Sequence, residues 1–140
     1  MIAVDSSVLV AALAPWHHRH DDSLAALNRA LASRRGVVIP AHAILETYSV
    51  LTRLPEQFRA SGRDVATALR ETLSSVTIAP FPAGSTWQII TDLAEAGIVG
   101  GAIYDASILK TAENAGATSL LTLDRRDFER FNSHIRIEEP

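Results

Sequence analysis

The stretch Ile2-Ala3-Val4-Asp5-Ser6-Ser7-Val8-Leu9-Val10-Ala11-Ala12-Leu13 decides the fold. A short apolar run is followed by Asp5-Ser6-Ser7, residues whose side chains cap helix N-termini, and then by a second apolar run. The pattern predicts strand, turn and helix in succession. Outward from it, Val37-Val38-Ile39 is a β-branched run stopped by Pro40, and 41–54 carries Ile44, Leu45, Tyr48 and Leu51 at helical spacing. Further strands are expected at 76–79 and 119–122, with a candidate fifth over Ile135 to Ile137. Leu24, Leu27 and Leu31 mark a helix closed by Gly36, and Val65, Leu69 and Leu73 mark another over 63–73. Helical patterns also fill 86–95 and 103–115, the latter ending at Gly116 as a C-cap, with Gly97, Gly100 and Gly101 as a flexible hinge between them. Short strands alternating with helices predict an α/β protein, a three-layer α/β/α sandwich around a short parallel sheet of four to five strands. One domain over 1–140 is expected, without linker, repeat or low-complexity segment.

Composition narrows the function. With 140 residues, 47% apolar and 21% charged, the chain is long enough to bury a core, which excludes a disordered tail. Sixteen acids against thirteen bases give a charge of −3, unlike a protein that coats nucleic acid by bulk attraction, although local patches are a separate matter. All the bases but Lys110 are arginine, the better residue for forked contacts to phosphate. The absence of cysteine excludes disulfide scaffolds, thiolate zinc sites and thiol nucleophiles. The apolar runs fall short of the roughly 18 residues that span a bilayer, and Met1 leads into a strand with no basic segment before it. A soluble, cytoplasmic protein with no membrane partner is the expectation.

Open parallel α/β sheets bind ligands at the carboxyl ends of their strands, so the acids found there carry the argument. Asp5 ends the first strand, Asp124 follows the fourth, and Glu46 lies about two turns into the helix after the second strand. Asp105 stands in the first turn of the helix after Gly100-Gly101, and reaches the crevice only if the preceding segment brings it there. Each has an ordinary alternative. Asp5 suits a helix cap, Asp105 a first-turn acid favoured by the helix dipole, Glu46 a solvated helix edge, and Asp124-Arg125-Arg126-Asp127 a surface turn with ion pairs. As a group, however, they repel, since two like charges about 4 Å apart cost roughly 4 kcal/mol at an effective dielectric near 20. Such a cluster needs a cation, and oxygen ligands alone select Mg²⁺ or Mn²⁺. A divalent ion in an open carboxylate site serves phosphate chemistry, that of a nuclease or phosphatase.

These segments resemble the PIN-domain ribonucleases, and within them the VapC-type toxins of bacterial toxin–antitoxin pairs. The resemblance covers nearly the whole chain. It is carried by Ile2 to Leu9, by Ile44-Leu45-Glu46-Thr47-Tyr48-Ser49-Val50-Leu51, by Ile103-Tyr104-Asp105-Ala106, and by Leu121-Thr122-Leu123-Asp124-Arg125-Arg126-Asp127-Phe128. It implies a metal-dependent endoribonuclease with Mg²⁺ as cofactor, Mn²⁺ substituting, acting on RNA and held inactive by a cognate VapB-type antitoxin. It also implies a homodimer. The family's acidic quartet falls on Asp5, Glu46, Asp105 and Asp124, with Asp127 competing for the last place. Asp5 and Asp105 are expected to contact the metal directly, and Glu46 and Asp124 directly or through water. Ser6 and Thr122 match the family's hydroxyl residues beside the first and last acids, where they orient a ligand or cap a helix.

Carboxylates do not grip a polyanion, so substrate contacts are expected from Arg125 and Arg126 and from Arg19 among His17, His18 and His20. Surface solvation is the alternative for all three arginines, and the histidines read as exposed rather than as a metal site. Trp16, Tyr48, Leu51 and Leu54 exceed what one helix face buries, which suggests a dimer or antitoxin surface beside core packing. Two rival readings remain: a PIN-type nuclease of RNA processing or of single-stranded DNA, and a non-catalytic α/β binding module. A Ser-nucleophile elbow, a P-loop and a dinucleotide fingerprint are all absent from the sequence.

Overall fold

The structure is a computed structural model that describes all 140 residues, Met1–Pro140. Strands β1 (Ile2–Val4), β2 (Val37–Pro40), β3 (Thr77–Ala79), β4 (Ser119–Leu121) and β5 (Arg136–Glu138) form one parallel sheet in the order β3-β2-β1-β4-β5. The central strands β1 and β4 are buried at every residue and read as unbroken apolar or small residues, whereas β3 and β5 are edges with exposed positions.

Helices α1 (Ser6–Leu13), α2 (His20–Leu31), α3 (Ala41–Arg53), α4 (Gly62–Thr72), α5 (Thr86–Glu95), α6 (Ala102–Asn114) and α7 (Arg125–Glu129) flank this sheet. The packing runs α2 on α1, α1 on α3 and α3 on α4, and separately α5 on α6 and α6 on α7, with α6 also touching α3 and β2. Val4, Val8, Leu9, Leu27, Ile39, Ile108, Leu120 and Phe128 are fully buried between the layers. The expected α/β/α architecture with its parallel sheet is present, and all five strands form.

Several boundaries depart from the sequence pattern. Helix α2 starts at His20 rather than near Leu24, because Asp21 and Asp22 occupy its first turn and favour its dipole. Residues 125–129 are a short helix, not the turn that their charges suggest, and bury Phe128. Pro40 does not stop β2 but ends it, paired with Ala79. Of the hinge glycines, Gly97 and Gly100 take positive φ (68° and 70°), whereas Gly101 is already helical at φ −63°.

Register fixes where the site forms. Val4 is level with Leu121, the Asp5 N–H donates to the Leu121 carbonyl at 3.0 Å, and the Thr122 N–H donates to the Glu138 carbonyl at 3.0 Å. Asp5 and the segment Thr122 to Asp124 therefore leave the sheet at the same edge.

Candidate metal centre and substrate cleft

Asp5 caps α1, its carboxylate accepting from the Ser7 N–H at 3.3 Å, and it is only 3% exposed. The cap is half of its role. Its Oδ2 also accepts from the Ser7 hydroxyl at 2.7 Å and from the Thr122 hydroxyl at 2.8 Å. Thr122 Oγ1 in turn accepts the Asp124 N–H at 3.0 Å, and Ser7 Oγ accepts the Leu123 N–H at 2.9 Å. The chain after β4 is thus tied to Asp5 by two hydroxyls. Oδ1 of Asp5 has only the Ser6 hydroxyl at 3.3 Å and keeps lone pairs for a ligand.

Ser6 Oγ donates to Glu46 Oε2 at 2.7 Å, so one side chain links α1 to α3 and sets the two acids beside each other. Ser6, Ser7, Glu46, Asp124, His18 and Arg19 line a cleft of about 430 Å³. A larger groove of about 670 Å³ lies between α5 and α6, where Glu113 is already engaged by Lys110 at 3.4 Å and Ser133 at 2.7 Å. Volume does not mark the reactive site here; converging acids do.

Asp105, in the first turn of α6, lies near enough to Asp5 and Glu46 to feel their charges. Burial pushes its carboxyl up to about 6, with the negative charges of Asp5 and Asp127 next in weight; Arg130 pulls it down and Glu46 adds to the rise. Burial likewise raises the Asp124 carboxyl, followed by Asp5 and Asp127, while a Ser7 hydroxyl bond opposes the rise and Glu46 adds to it. Asp5 and Glu46 thus contribute to the field at both other acids, and the expected quartet shares one electrostatic neighbourhood.

No three His, Cys, Asp or Glu side chains close into a ligand cage. The donors are carboxylate and hydroxyl oxygens around an open cleft, and Asp5 and Glu46 raise the cost of ionising Asp105 and Asp124. That combination fits a hard divalent cation. Mg²⁺ characteristically keeps several waters and takes one or two carboxylates rather than a full protein cage.

The basic residues divide. Arg19 donates to Asp22 at 3.3 Å and to the Pro140 carbonyl at 3.1 Å while lining the cleft, and Arg125 pairs with Glu129 at 2.5 Å. Arg126 is exposed on the same short helix as Arg125. His17 Nδ1 accepts from the Arg19 N–H, His17 stacks on His18 with ring centroids 4.7 Å apart, and His20 Nδ1 is bonded with the Ala11 carbonyl at 2.9 Å, so the three do not form a metal site. Of the expected apolar surface, Leu51 is buried and Leu54 half-buried, whereas Trp16 and Tyr48 stay exposed, Trp16 packing on Phe58.

Two residues bonded to these acids escaped the sequence reading. Ser7 had a signal, since Ser6-Ser7 follows Asp5 directly. Arg130 had none. Its Nη2 donates to Asp105 Oδ2 at 3.2 Å and lies 3.9 Å from Asp127, while its Nε donates to the Asp127 carbonyl at 2.8 Å. Asp127 therefore faces Arg130, and Asp124 lines the cleft with Glu46.

The family model described as PIN domain matches residues 2–133. Ribonuclease VapC40 of Mycobacterium tuberculosis is 45% identical over 138 residues, 99% of this chain and 96% of that protein. Among solved structures, the Mycobacterium tuberculosis toxin VapC20, described as cleaving the Sarcin-Ricin loop, superposes with a TM-score of 0.74 at 19% identity, covering 97% of this chain and 99% of that one. VapBC2 from Rickettsia felis, bound to a DNA fragment from its promoter, gives 0.73 at 21% identity over 100% and 99%. The two structural matches speak for the fold.

Proposed function

Because this chain belongs to the PIN-domain family, and within it to the VapC-type ribonucleases, we propose that it is a metal-dependent endoribonuclease, the toxin of a VapBC-type toxin–antitoxin pair. The observation that supports the reading is that Ser6 links Asp5 to Glu46 and Thr122 links Asp5 to Asp124 at one sheet edge, with Asp105 close enough to feel the charges of Asp5 and Glu46. Asp5 and Asp105 would hold Mg²⁺, or Mn²⁺ in its place, directly. Glu46 and Asp124 would hold it directly or through water. A cation held there would supply charge neutralisation at the phosphoryl oxygens and would acidify a water for attack.

The chain's own residues do the rest. Ser7 and Thr122 lock Asp5, and Ser6 holds Glu46 beside it. Glu46 or Asp124 accepts the proton of the attacking water, and hydrolysis proceeds in line at one phosphodiester. Arg126, with Arg19 and Arg125 at the rim, takes phosphates on either side of the cut. A cognate VapB-type antitoxin silences the enzyme, and the exposed Trp16, Phe58 and Tyr48 offer it an apolar surface. A second copy of the chain makes the homodimer. No helix is long and apolar enough to cross a membrane, and a nuclease of this kind works among its RNA substrates in the cytoplasm.

Asp5→Asn tests the reading. Asn caps a helix about as well as Asp, so the fold should persist while RNA cleavage falls to background. EDTA should abolish wild-type cleavage and Mg²⁺ or Mn²⁺ should restore it. Cleavage undiminished in EDTA would overturn the metal assignment.

A further inference from the structure

The rings of His42 and Tyr104 lie 5.0 Å apart, centroid to centroid, at an interplanar angle of 8°. They come from the first turns of different helices, α3 and α6. His42 stands four residues before Glu46, on the same face of α3, and Tyr104 directly precedes Asp105. The stacked pair thus sits beside two of the four acids. It is not core: Tyr104 is 54% exposed although one face of its ring lies on His42. The Trp16–Phe58 contact, by comparison, is tilted at 41°.

We propose that the His42–Tyr104 stack is the platform on which a splayed nucleobase of the RNA rests next to the phosphate being cut, which makes Tyr104 a substrate-positioning residue. The inference rests on the ribonuclease reading above. The cleft's carboxylates repel a polyanion, and the arginines read phosphates without regard to base. Holding a base takes a flat exposed ring, and unpaired RNA is recognised by such stacking; of the exposed rings, Trp16, Tyr48, Phe58, Trp87 and Tyr104, only Tyr104 directly precedes one of the four acids. His42 beneath it fixes the ring's plane and blocks its collapse onto α3. The platform selects an unstacked nucleotide, so the site takes a loop or single strand rather than a continuous duplex.

The test is single-turnover cleavage of a short mixed-sequence single-stranded RNA with Mg²⁺, over a range of protein and salt concentrations, for wild type, Tyr104→Ala, Tyr104→Phe, Tyr104→Trp and His42→Ala. Tyr104→Ala should raise the half-saturating protein concentration by roughly 5- to 160-fold, the span of losing one base–aromatic stack. The maximal rate and the salt slope should hold, because no phosphate contact is lost. Phe and Trp should rescue binding, and His42→Ala should show a smaller loss. An unchanged half-saturation for Tyr104→Ala, a loss as large for Tyr104→Phe, or a shallower salt slope would overturn the platform while leaving the ribonuclease reading standing. Wild-type protein that cuts no RNA with either Mg²⁺ or Mn²⁺ would overturn that reading, and the platform with it.

Discussion

At the scale of the residue, Asp5 joins two roles that sequence reasoning set against each other. It is a helix cap and a metal-site candidate at once, because a cap uses one edge of the carboxylate and leaves the other free. Thr122 shows how the free edge is aimed. It is fully buried, donates to Asp5 Oδ2 and accepts from the Asp124 N–H, so it holds two of the acids through one oxygen. Thr122→Val keeps the shape and removes that oxygen. It should destabilise the fold by about 1–3 kcal/mol, since a buried N–H and a carboxylate lose a partner. It should also weaken Mn²⁺ binding by roughly 10- to 100-fold, as loss of a ligand's supporting bond typically does. Denaturant melts and Mn²⁺ titration measure the two effects separately. A stability loss with unaltered Mn²⁺ affinity would reduce Thr122 to a turn residue.

At the scale of the element, strands β1, β2 and β4 and the helices after the first two were legible because each switch from apolar run to capping or helical pattern is local. Helix α7 was not. Arg125-Arg126-Asp127 has no apolar period, and its one anchor, Phe128, reveals itself only by being buried in the core. Long-range approaches were equally silent: a Cβ at Gly62 would stand 2.5 Å from the Tyr48 hydroxyl, so a larger residue there would push that exposed ring aside, yet nothing near Gly62 in the chain announces Tyr48. The acids were readable at strand ends, and Asp105 alone needed the fold to place it. Arg130, at the end of α7, then ties that helix to α6 through Asp105. Since the guanidinium opposes the rise of the Asp105 carboxyl, Arg130→Gln should raise that carboxyl further and move the pH midpoint of Mn²⁺ binding upward with it, by roughly half to one pH unit for an exposed unit charge. Arg130→Lys should stay near wild type. Binding midpoints from Mn²⁺ titrations at stepped pH decide it; equal midpoints for wild type and Arg130→Gln would show that the pair is only a surface contact.

At the scale of the whole molecule, a charge of −3 describes a chain whose acids are unevenly spent. Those gathered at one sheet edge make the metal-free fold carry a repulsion that the rest of the surface does not. The Asp105 carboxyl sits at about 6 in the fold against an ordinary 3.8, so its proton is held more tightly in the native state than in the unfolded chain. The native state therefore gains from this group below its ordinary value, and that gain is lost as pH rises through about 6. Above that point the fold holds an ionised Asp105 among other carboxylates, and a divalent cation offsets the repulsion. Below it, a proton competes for the same oxygen. Mn²⁺ at a hundred times its dissociation constant stabilises by about 2.7 kcal/mol, which for a domain of this size raises Tm by roughly 5–10 °C. That rise should appear at about pH 7.5 and fall to about half at about pH 5, where a carboxyl at about 6 is largely protonated and Mn²⁺ binds roughly tenfold more weakly. Thermal melts with and without Mn²⁺ at both pH values measure it. A rise of equal size at the two would mean that the ion binds away from Asp105, and so away from the strand-end acids on which the enzymatic reading depends.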